Sequence, residues 1–481
     1  MIILSIVKIM SILLAIVAAT MLLPGAVALI LGETGAAAAF LGTAGVSIVL
    51  GLAIWFAFRK YTFRLTARTS FVAVAFSWIM ASILGAVPFM LSGAIPSFTD
   101  ALFESVSGFT TTGATICNDV EALPRSINLW RMQTHWLGGM GIVALTVALL
   151  PLIGVGGFQL IKAETTGPEK GKITPKITMT AKILWFIYLG LTVIETIALR
   201  IAGMDFLDAL GHSFSTLGTG GFSSRNGSIG AYNSVAVDVI VTVFMFLSGI
   251  NFSLFYMLLK GKFGEIRENS ELKAYFWIVF IAGLIVTFSI SPLYGSFAEA
   301  MRYAYFQVVS IITTTGFGTA EYTLWPLLAQ YFLFILLAVG GCSGSTSGGV
   351  KVVRWVILGK QANIEAKKML HPHGVFDIRL NGRSCRKDIV FSVAGFLCVY
   401  LGLVIITSMV AAHNTSDLFS SFTVGLTVVG NVGPGFGDIG PAYNFSIFSA
   451  LPKYWFCFAM IAGRLELYTM LMFFVPDFWK R

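Results

Sequence analysis

Charge is what this sequence lacks most. Asp, Glu, Lys and Arg make up 11% of its 481 residues, while 56% are hydrophobic. Charged residues belong on wetted surface, and this is too little to cover a water-soluble globule of that length. The chain therefore reads as an integral membrane protein. Histidine is scarcer still: the five residues are spread over far-apart connections, which leaves no clustered base, nucleophile or metal set, and no enzyme is expected. His371 and His373 share a basic connection with no further ligand nearby and read as solvated loop. The five cysteines, Cys117, Cys342, Cys385, Cys398 and Cys457, form no Cys-x-x-Cys pair and no even framework, so neither a disulfide nor a metal is assigned to them. The first residues also lack the short apolar core of a signal peptide. Their uncharged run from Ile9 to Gly32 is long enough to cross a bilayer, which takes ~20 residues.

Glycine is plentiful, and it is concentrated in an unusual way. Ile311-Ile-Thr-Thr-Thr-Gly-Phe-Gly-Thr319 interrupts an otherwise apolar stretch. Thr110-Thr-Thr-Gly-Ala-Thr115 is nearly the same string, Leu217-Gly-Thr-Gly-Gly-Phe222 is a looser copy, and Val429-Gly-Asn-Val-Gly-Pro-Gly435 is the most divergent. Their spacing of about a hundred residues marks one unit, apolar span then irregular loop then apolar span, used four times.

In chain order, Ile9 to Gly32 and Ala36 to Phe58 form a hairpin outside the repeat, turned at Gly32-Glu-Thr-Gly35 and closed by Arg59 and Lys60. The first unit spans to Leu91 and returns along Leu129 to Leu150; the second uses Ile183 to Ile201 and Val235 to Leu259. The third uses Tyr275 to Ile290 and Leu324 to Leu358, the fourth Ile389 to Ala412 and Phe445 to Val475, which makes ten spans with both ends on one side. A short helix precedes each loop. Thr99-Asp100, Asp205, Ser296 and Ser416-Asp417 are the expected caps. At roughly 1.5 Å per residue such helices cross half a bilayer and must be re-entrant. The expected fold is an all-α polytopic membrane protein with four pseudo-symmetric helix–pore loop–helix repeats around a central pore, plus the N-terminal hairpin. The expected divisions are 1–69 for the hairpin and 70–162, 163–262, 263–370 and 371–481 for the repeats.

The formal charge of +9 does not point to nucleic acid, because the basic residues crowd into Arg59 to Arg68, Lys162 to Lys182, Lys260 to Lys273 and Lys351 to Lys387. Alternate connections are nearly free of them, which places the basic ones and both termini in the cytoplasm, against anionic lipid.

Irregular backbone at membrane depth is tolerated where protein buries it or water lies beside it, so four such loops imply a shared aqueous path. A cation in that path needs oxygens to replace its hydration shell, and a ring of backbone carbonyls supplies them. Turning carbonyls toward one axis takes positive φ, which glycine reaches easily. The candidates are Gly113, Gly220 or Gly221, Gly316 and Gly433, with Thr111, Thr112, Thr219, Thr314, Thr315, Asn431 and Val432 beside them. The short helices end at the loops and add partial negative charge there, roughly half an elementary charge each. On the outer connections Asp100, Glu104, Asp119, Glu121, Asp205, Asp208, Glu299, Glu321, Asp417 and Asp438 outnumber Arg125, Arg225 and Arg302, which would concentrate cations at the mouth. From the residues alone the path is for a monovalent cation. The competing reading is that Thr and Gly only permit close helix packing.

Two features suit a gate. Gly340, Gly341, Ser343, Gly344, Ser345, Thr346, Ser347, Gly348 and Gly349, with Cys342, break the third return span. No straight helix survives there, since each glycine costs about 1 kcal/mol of propensity. The stretch has no Gly-Lys-Ser/Thr ending and so is no nucleotide loop. It is either a plug below the filter or a structural kink. Arg464 lies inside the last span and should face the pore or a carboxylate, Glu466 or Glu195, rather than lipid. Glu195 and Arg200 share one span and read as an ion pair. If Glu195 instead carried protons, the chain would be a proton- or sodium-coupled secondary cation transporter, which stands as the alternative.

Taken together, the Thr-Thr-Thr-Gly-Ala-Thr, Thr-Thr-Thr-Gly-Phe-Gly-Thr and Asn-Val-Gly-Pro-Gly strings, the four-unit plan and the extra hairpin resemble the Trk/Ktr/HKT superfamily of potassium transport proteins, and within it the TrkH-like membrane subunit. The resemblance spans essentially the whole chain. It implies potassium as the transported ion, filter positions at the loop glycines, a blocking intramembrane loop at Gly340 to Gly349 and a pore arginine at Arg464. It also implies a homodimer in the bacterial cytoplasmic membrane, docked on a cytosolic nucleotide-binding ring of the TrkA-like kind, with no organic cofactor on this chain.

Overall fold

A computed structural model describes residues 2–58, 67–141, 177–384 and 388–480. The closing residues Arg59 and Lys60, the end of the first return span toward Leu150, the basic run from Lys162 and residue Cys385 lie outside the described residues.

The N-terminal hairpin is α1 (Ile2–Thr20) and α2 (Leu22–Ile30), then α3 (Thr34–Ala57). The Glu33 carboxylate at its turn accepts the Arg125 and Ser126 amides at 2.8 and 3.1 Å. An accessory element is thereby fastened to the start of the first return helix, whose leading N–H groups have no partner within the helix.

Each unit then follows one plan. The outer helices are α4 (Ala67–Leu91), α7 (Ile177–Ile201), α12 (Ser270–Ile290) and α16 (Asp388–Ala411); the short helices are α5 (Phe98–Phe109), α8 (Phe206–Gly218), α13 (Phe297–Ile312) and α17 (Leu418–Gly430). The return helices are α6 (Arg125–Gly139), α9 (Val235–Ser248) continued by α10 (Phe252–Leu259), α14 (Leu327–Leu337) followed after the Gly-rich stretch by α15 (Val352–Leu370), and α18 (Ala450–Arg464) continued by α19 (Tyr468–Leu471). The remaining short helices are α11 (Phe263–Glu268) and α20 (Pro476–Trp479).

Asp205, Ser296 and Asp417 cap their short helices as expected, each accepting a first-turn amide. The first helix differs: its cap is Ser97, which accepts the Asp100 amide at 3.4 Å, and Asp100 itself lies in the first turn. An acid there still suits the positive helix end.

Six described helices are long and apolar enough to span, among them all four outer helices. The return spans are not straight. Val235–Ser248 and Phe252–Leu259 meet at 94°, and Ala450–Arg464 and Tyr468–Phe474 at 118°. From the sequence each is expected as one continuous span, Val235 to Leu259 and Phe445 to Val475. Lys351 to Lys387 is also not a loop throughout, because α15 occupies Val352–Leu370 and a small hairpin pairs Arg379 with Ser384.

Each return helix packs on the short helix of the next unit: α6 on α8, α9 on α13, α14 on α17 and α18 back on α5. The four units therefore close a ring. Its apolar packing lies between short, outer and return helices.

Candidate ion pathway

Four short helices end in one conformation. Thr111, Thr219, Thr314 and Asn431 are left-handed, with φ of 55, 55, 56 and 54°. The residue after each closes a six-to-one hydrogen bond: Thr112 N–H to Ser107 O at 2.9 Å, Gly220 to Ser215 at 2.9 Å, Thr315 to Ser310 at 2.8 Å and Val432 to Thr427 at 2.9 Å. This is a Schellman cap, where glycine is usual. Three β-branched threonines in that position carry strain of roughly 1–3 kcal/mol each, which persists only where the surroundings over-determine it. Two residues on, Gly113, Gly221, Gly316 and Gly433 have φ of 77, 80, 81 and 89°. The backbone thus aligns Gly221, not Gly220, with the other loop glycines.

These glycines lock the loops together in order. A Cβ built on Gly113 would fall within 3.0 Å of the Gly220 carbonyl oxygen, one on Gly221 within that distance of Thr315 O, one on Gly316 of Val432 O, and one on Gly433 of Thr112 O. Each loop's glycine faces the next loop's carbonyl, and the fourth returns to the first. Close packing between helices gives no reason for such a circuit of backbone oxygens. Gly220 is constrained differently: its Cβ would enter the His135 imidazole, which stacks on Phe222 at 4.2 Å.

The outer rim repeats the circuit. Val120 N–H reaches Asn226 Oδ1 at 2.8 Å, Gly230 N–H reaches Gly318 O at 3.0 Å, Tyr322 hydroxyl donates to Gly435 O at 2.6 Å, and Phe445 N–H reaches Thr115 O at 2.8 Å. Ion pairs join Arg125 to Asp205, Arg302 to Asp238 at 3.6 Å and Lys453 to Asp100 at 2.6 Å. The ten acids expected to draw cations to the mouth each accept a hydrogen bond or form an ion pair, several of them within their own unit, as Glu299 does with the Gly295 amide and Glu321 with the Thr323 hydroxyl. Arg125 and the Asn226 amide hold Asp205 and Asp119 below the usual carboxylate range, as the Ser420 amide does for Asp417.

Glu104 departs furthest from expectation. It is fully buried and takes Arg131 Nε at 2.7 Å, Thr115 hydroxyl at 2.9 Å and Ile116 N–H at 3.0 Å. Arg131 continues to Ser223 O at 3.3 Å and lies 4.3 Å over the Phe222 ring. One buried pair thus braces the ends of loops one and two. Arg131 and His135 are functional-site candidates that the sequence analysis did not single out; the signal that could have found them is two ionisable residues inside an expected membrane span.

The Gly-rich stretch folds on itself, with Gly340 N–H to Val350 O at 2.9 Å and Val352 N–H to Gly341 O at 3.1 Å. Cys342 N–H bonds Gly249 O at 2.9 Å, which fits it into the bend of the second return span. Gly348 N–H donates to Thr314 Oγ1 at 2.7 Å. Arg464 donates to Thr346 O at 2.6 Å, Gly138 O at 2.7 Å and Gly139 O at 2.9 Å, while Glu466 pairs with Arg354 at 2.6 Å. Arg464 therefore bridges the end of the first return helix and the Gly-rich stretch. Two expectations are corrected. Lys351, counted with the solvated basic loop, is buried and donates to Ser347 and Gly348 carbonyls. Glu195 and Arg200 do not pair: Glu195 is buried, and Arg200 donates to Met204 O at 3.1 Å.

The family model described as a cation transport protein, TrkH, matches residues 37–281 and 272–481. The chain belongs to the TrkH family. It is 41% identical over 443 residues to the Trk system potassium uptake protein TrkH of Escherichia coli K12, covering 90% of this chain and 91% of that one. The Trk system potassium uptake protein TrkG of the same organism is 34% identical over 445 residues, covering 90% of each. The crystal structure of the potassium transporter TrkH from Vibrio parahaemolyticus superposes over 100% of both chains at a TM-score of 0.88 and 36% identity. As a TrkH-family member the chain is a multi-pass membrane protein, in keeping with its spanning helices. Among the described residues no group of His, Cys, Asp and Glu is placed to hold a metal ion.

Proposed function

We propose that this chain takes up potassium across the bacterial cytoplasmic membrane, as the membrane subunit of a multi-component system. The observation that carries this is the closed circuit of Gly113, Gly221, Gly316 and Gly433 against the carbonyls of Gly220, Thr315, Val432 and Thr112. Such a ring holds oxygens at fixed separation, and fixed oxygens replace the shell of one cation size better than another. Thr111, Thr219, Thr314 and Asn431 set the turn, and four helix C-termini add negative potential. The Gly-rich stretch and Arg464 form the gate beneath. The repeat divisions 70–162, 163–262, 263–370 and 371–481 follow from the same plan, with both termini cytoplasmic. The relatives' names speak of a Trk system, which supports a regulatory partner. We assign that role to a cytosolic nucleotide-binding ring acting on a homodimer.

The test is the reversal potential of purified protein in a planar bilayer under opposing potassium and sodium gradients, with Gly316→Ser alongside. Reversal near the potassium value, shifted toward sodium in the variant, supports the filter. An unchanged reversal potential in the variant refutes it. Concentrative uptake abolished by Glu195→Gln would favour a proton- or sodium-coupled carrier.

A further inference from the structure

The Gly-rich stretch is held by an acidic and a basic side chain, one on its amides and the other on its carbonyls. Glu271, in the first turn of α12, accepts Ser343 N–H at 2.7 Å and Val353 N–H at 3.1 Å. One carboxylate oxygen therefore pins both feet of the loop. At the other side the ammonium of Lys351 donates to the carbonyls of Ser347 and Gly348. Gly348 is the residue whose amide bonds Thr314, and a Cβ on it would fall within 3.0 Å of Gly430 O and Asn431 Cβ. Lys351 thus grips the stretch where it abuts the third and fourth loops. Lys351 is 3% exposed and Glu271 9%, so water does little to weaken these charge-assisted bonds.

We propose that Glu271 and Lys351 are positioning residues that latch the Gly-rich stretch shut, the carboxylate holding its feet and the ammonium its pore end. The inference rests on reading that stretch as the gate. Lys351 also stands as a tethered cation on carbonyl oxygens beside the loops. A partly dehydrated monovalent cation leaving the loops needs such oxygens, so the ammonium must withdraw when the gate opens. Arg464 holds the neighbouring Thr346 carbonyl but belongs to the fourth unit, whereas Glu271 and Lys351 belong to the third and move with it.

The test is potassium flux from proteoliposomes holding the purified full chain without any partner. The panel is wild type, Lys351→Met, Lys351→Arg, Glu271→Gln and a chain lacking Gly344 to Ser347, with melting temperature recorded for each. Loss of one charge-assisted bond shifts a closed–open equilibrium about tenfold or more. Lys351→Met and Glu271→Gln should therefore each raise flux about tenfold, with potassium preference over sodium retained. Lys351→Arg should restore low flux. Lys351→Met combined with Glu271→Gln, added to the panel, should exceed neither single variant by a further tenfold, since both release one element. If the shortened chain leaks while the point variants stay at wild-type flux, the latch is refuted and the gate stands. If the shortened chain also stays shut, the gate reading itself fails. A rise in flux that is equal for sodium, or that Lys351→Arg shares, refutes the latch as a distortion of the pore. Should Lys351→Met not fold, Glu271→Gln decides alone.

Discussion

Gly348 N–H donates to the Thr314 hydroxyl at 2.7 Å, and Thr314 is itself held in left-handed backbone at φ 56°. The residue that turns the third loop therefore also anchors the Gly-rich stretch. On the proposed reading of the loops as filter and the stretch as gate, one side chain serves both, which would couple them with no intervening element.

Thr314→Val removes the acceptor and keeps the shape. The Gly348 amide, buried against Asn431, loses its partner, at about 1–3 kcal/mol. The expected outcome is higher unstimulated flux with a melting temperature lowered by no more than that one lost bond, because the valine keeps the β-branched volume. Thr219 bonds its own neighbour, Gly218 O, at 2.6 Å, so Thr219→Val should raise flux less. Paired flux assays on the two variants check the asymmetry.

The two adjacent glycines of the second loop should fail for different reasons. Gly221 has φ 80° and faces the Thr315 carbonyl, whereas the obstacle at Gly220 is the His135 ring. Backbone cannot retreat, but a side chain can be made smaller. Gly220→Ala should therefore be rescued in part by His135→Ala, while Gly221→Ala should gain nothing from it. Reversal potentials of the four variants measure this directly.

That pair also marks where the sequence stopped being informative. The Thr-Gly strings revealed four loops at matched positions, because positive φ at membrane depth leaves a compositional trace. Two glycines in a row leave the same trace in either register, and only the left-handed Thr219 fixes it. The 118° bend after Arg464 left none: Glu466 and Leu467 take φ of 54 and 60° with glycine at neither position, held by tertiary bonds such as Arg354–Glu466. Lys351 misled because charge reports nothing about depth. It opens a basic run in sequence, yet the folded stretch before it buries its ammonium against the Ser347 and Gly348 carbonyls.

Arg464 should not be replaceable by lysine. Its guanidinium reaches the Gly138, Gly139 and Thr346 carbonyls together, and a planar fork with five donors is suited to three acceptors as a single ammonium on a flexible stem is not. Arg464→Lys keeps the charge and drops at least one bond. If charge alone forms the barrier, flux stays at the wild-type level. If bridging holds the gate, flux rises toward that of Arg464→Gln. The bridging geometry predicts the second outcome, read in single-channel open probability at fixed voltage.

The buried Arg131–Glu104 pair should be the costliest of the site to break. Glu104→Gln leaves the Arg131 guanidinium uncompensated, and removing one partner of a buried pair destabilises by roughly 3–5 kcal/mol. The melting temperature in detergent should fall clearly. Replacing both residues by leucine and methionine removes the charges together, which for isolated buried pairs is often nearly neutral. Recovery here should be incomplete, since Thr115, the Ile116 amide and the Ser223 carbonyl keep their polarity and lose their partners. Those three groups flank the first and second loops. The double variant should therefore regain much of its stability yet show weaker potassium preference than wild type, and a bilayer reversal potential set beside the melting curve separates the two effects. Full recovery of both would mean that the pair only fills space, because a brace for the loops cannot be removed without moving them.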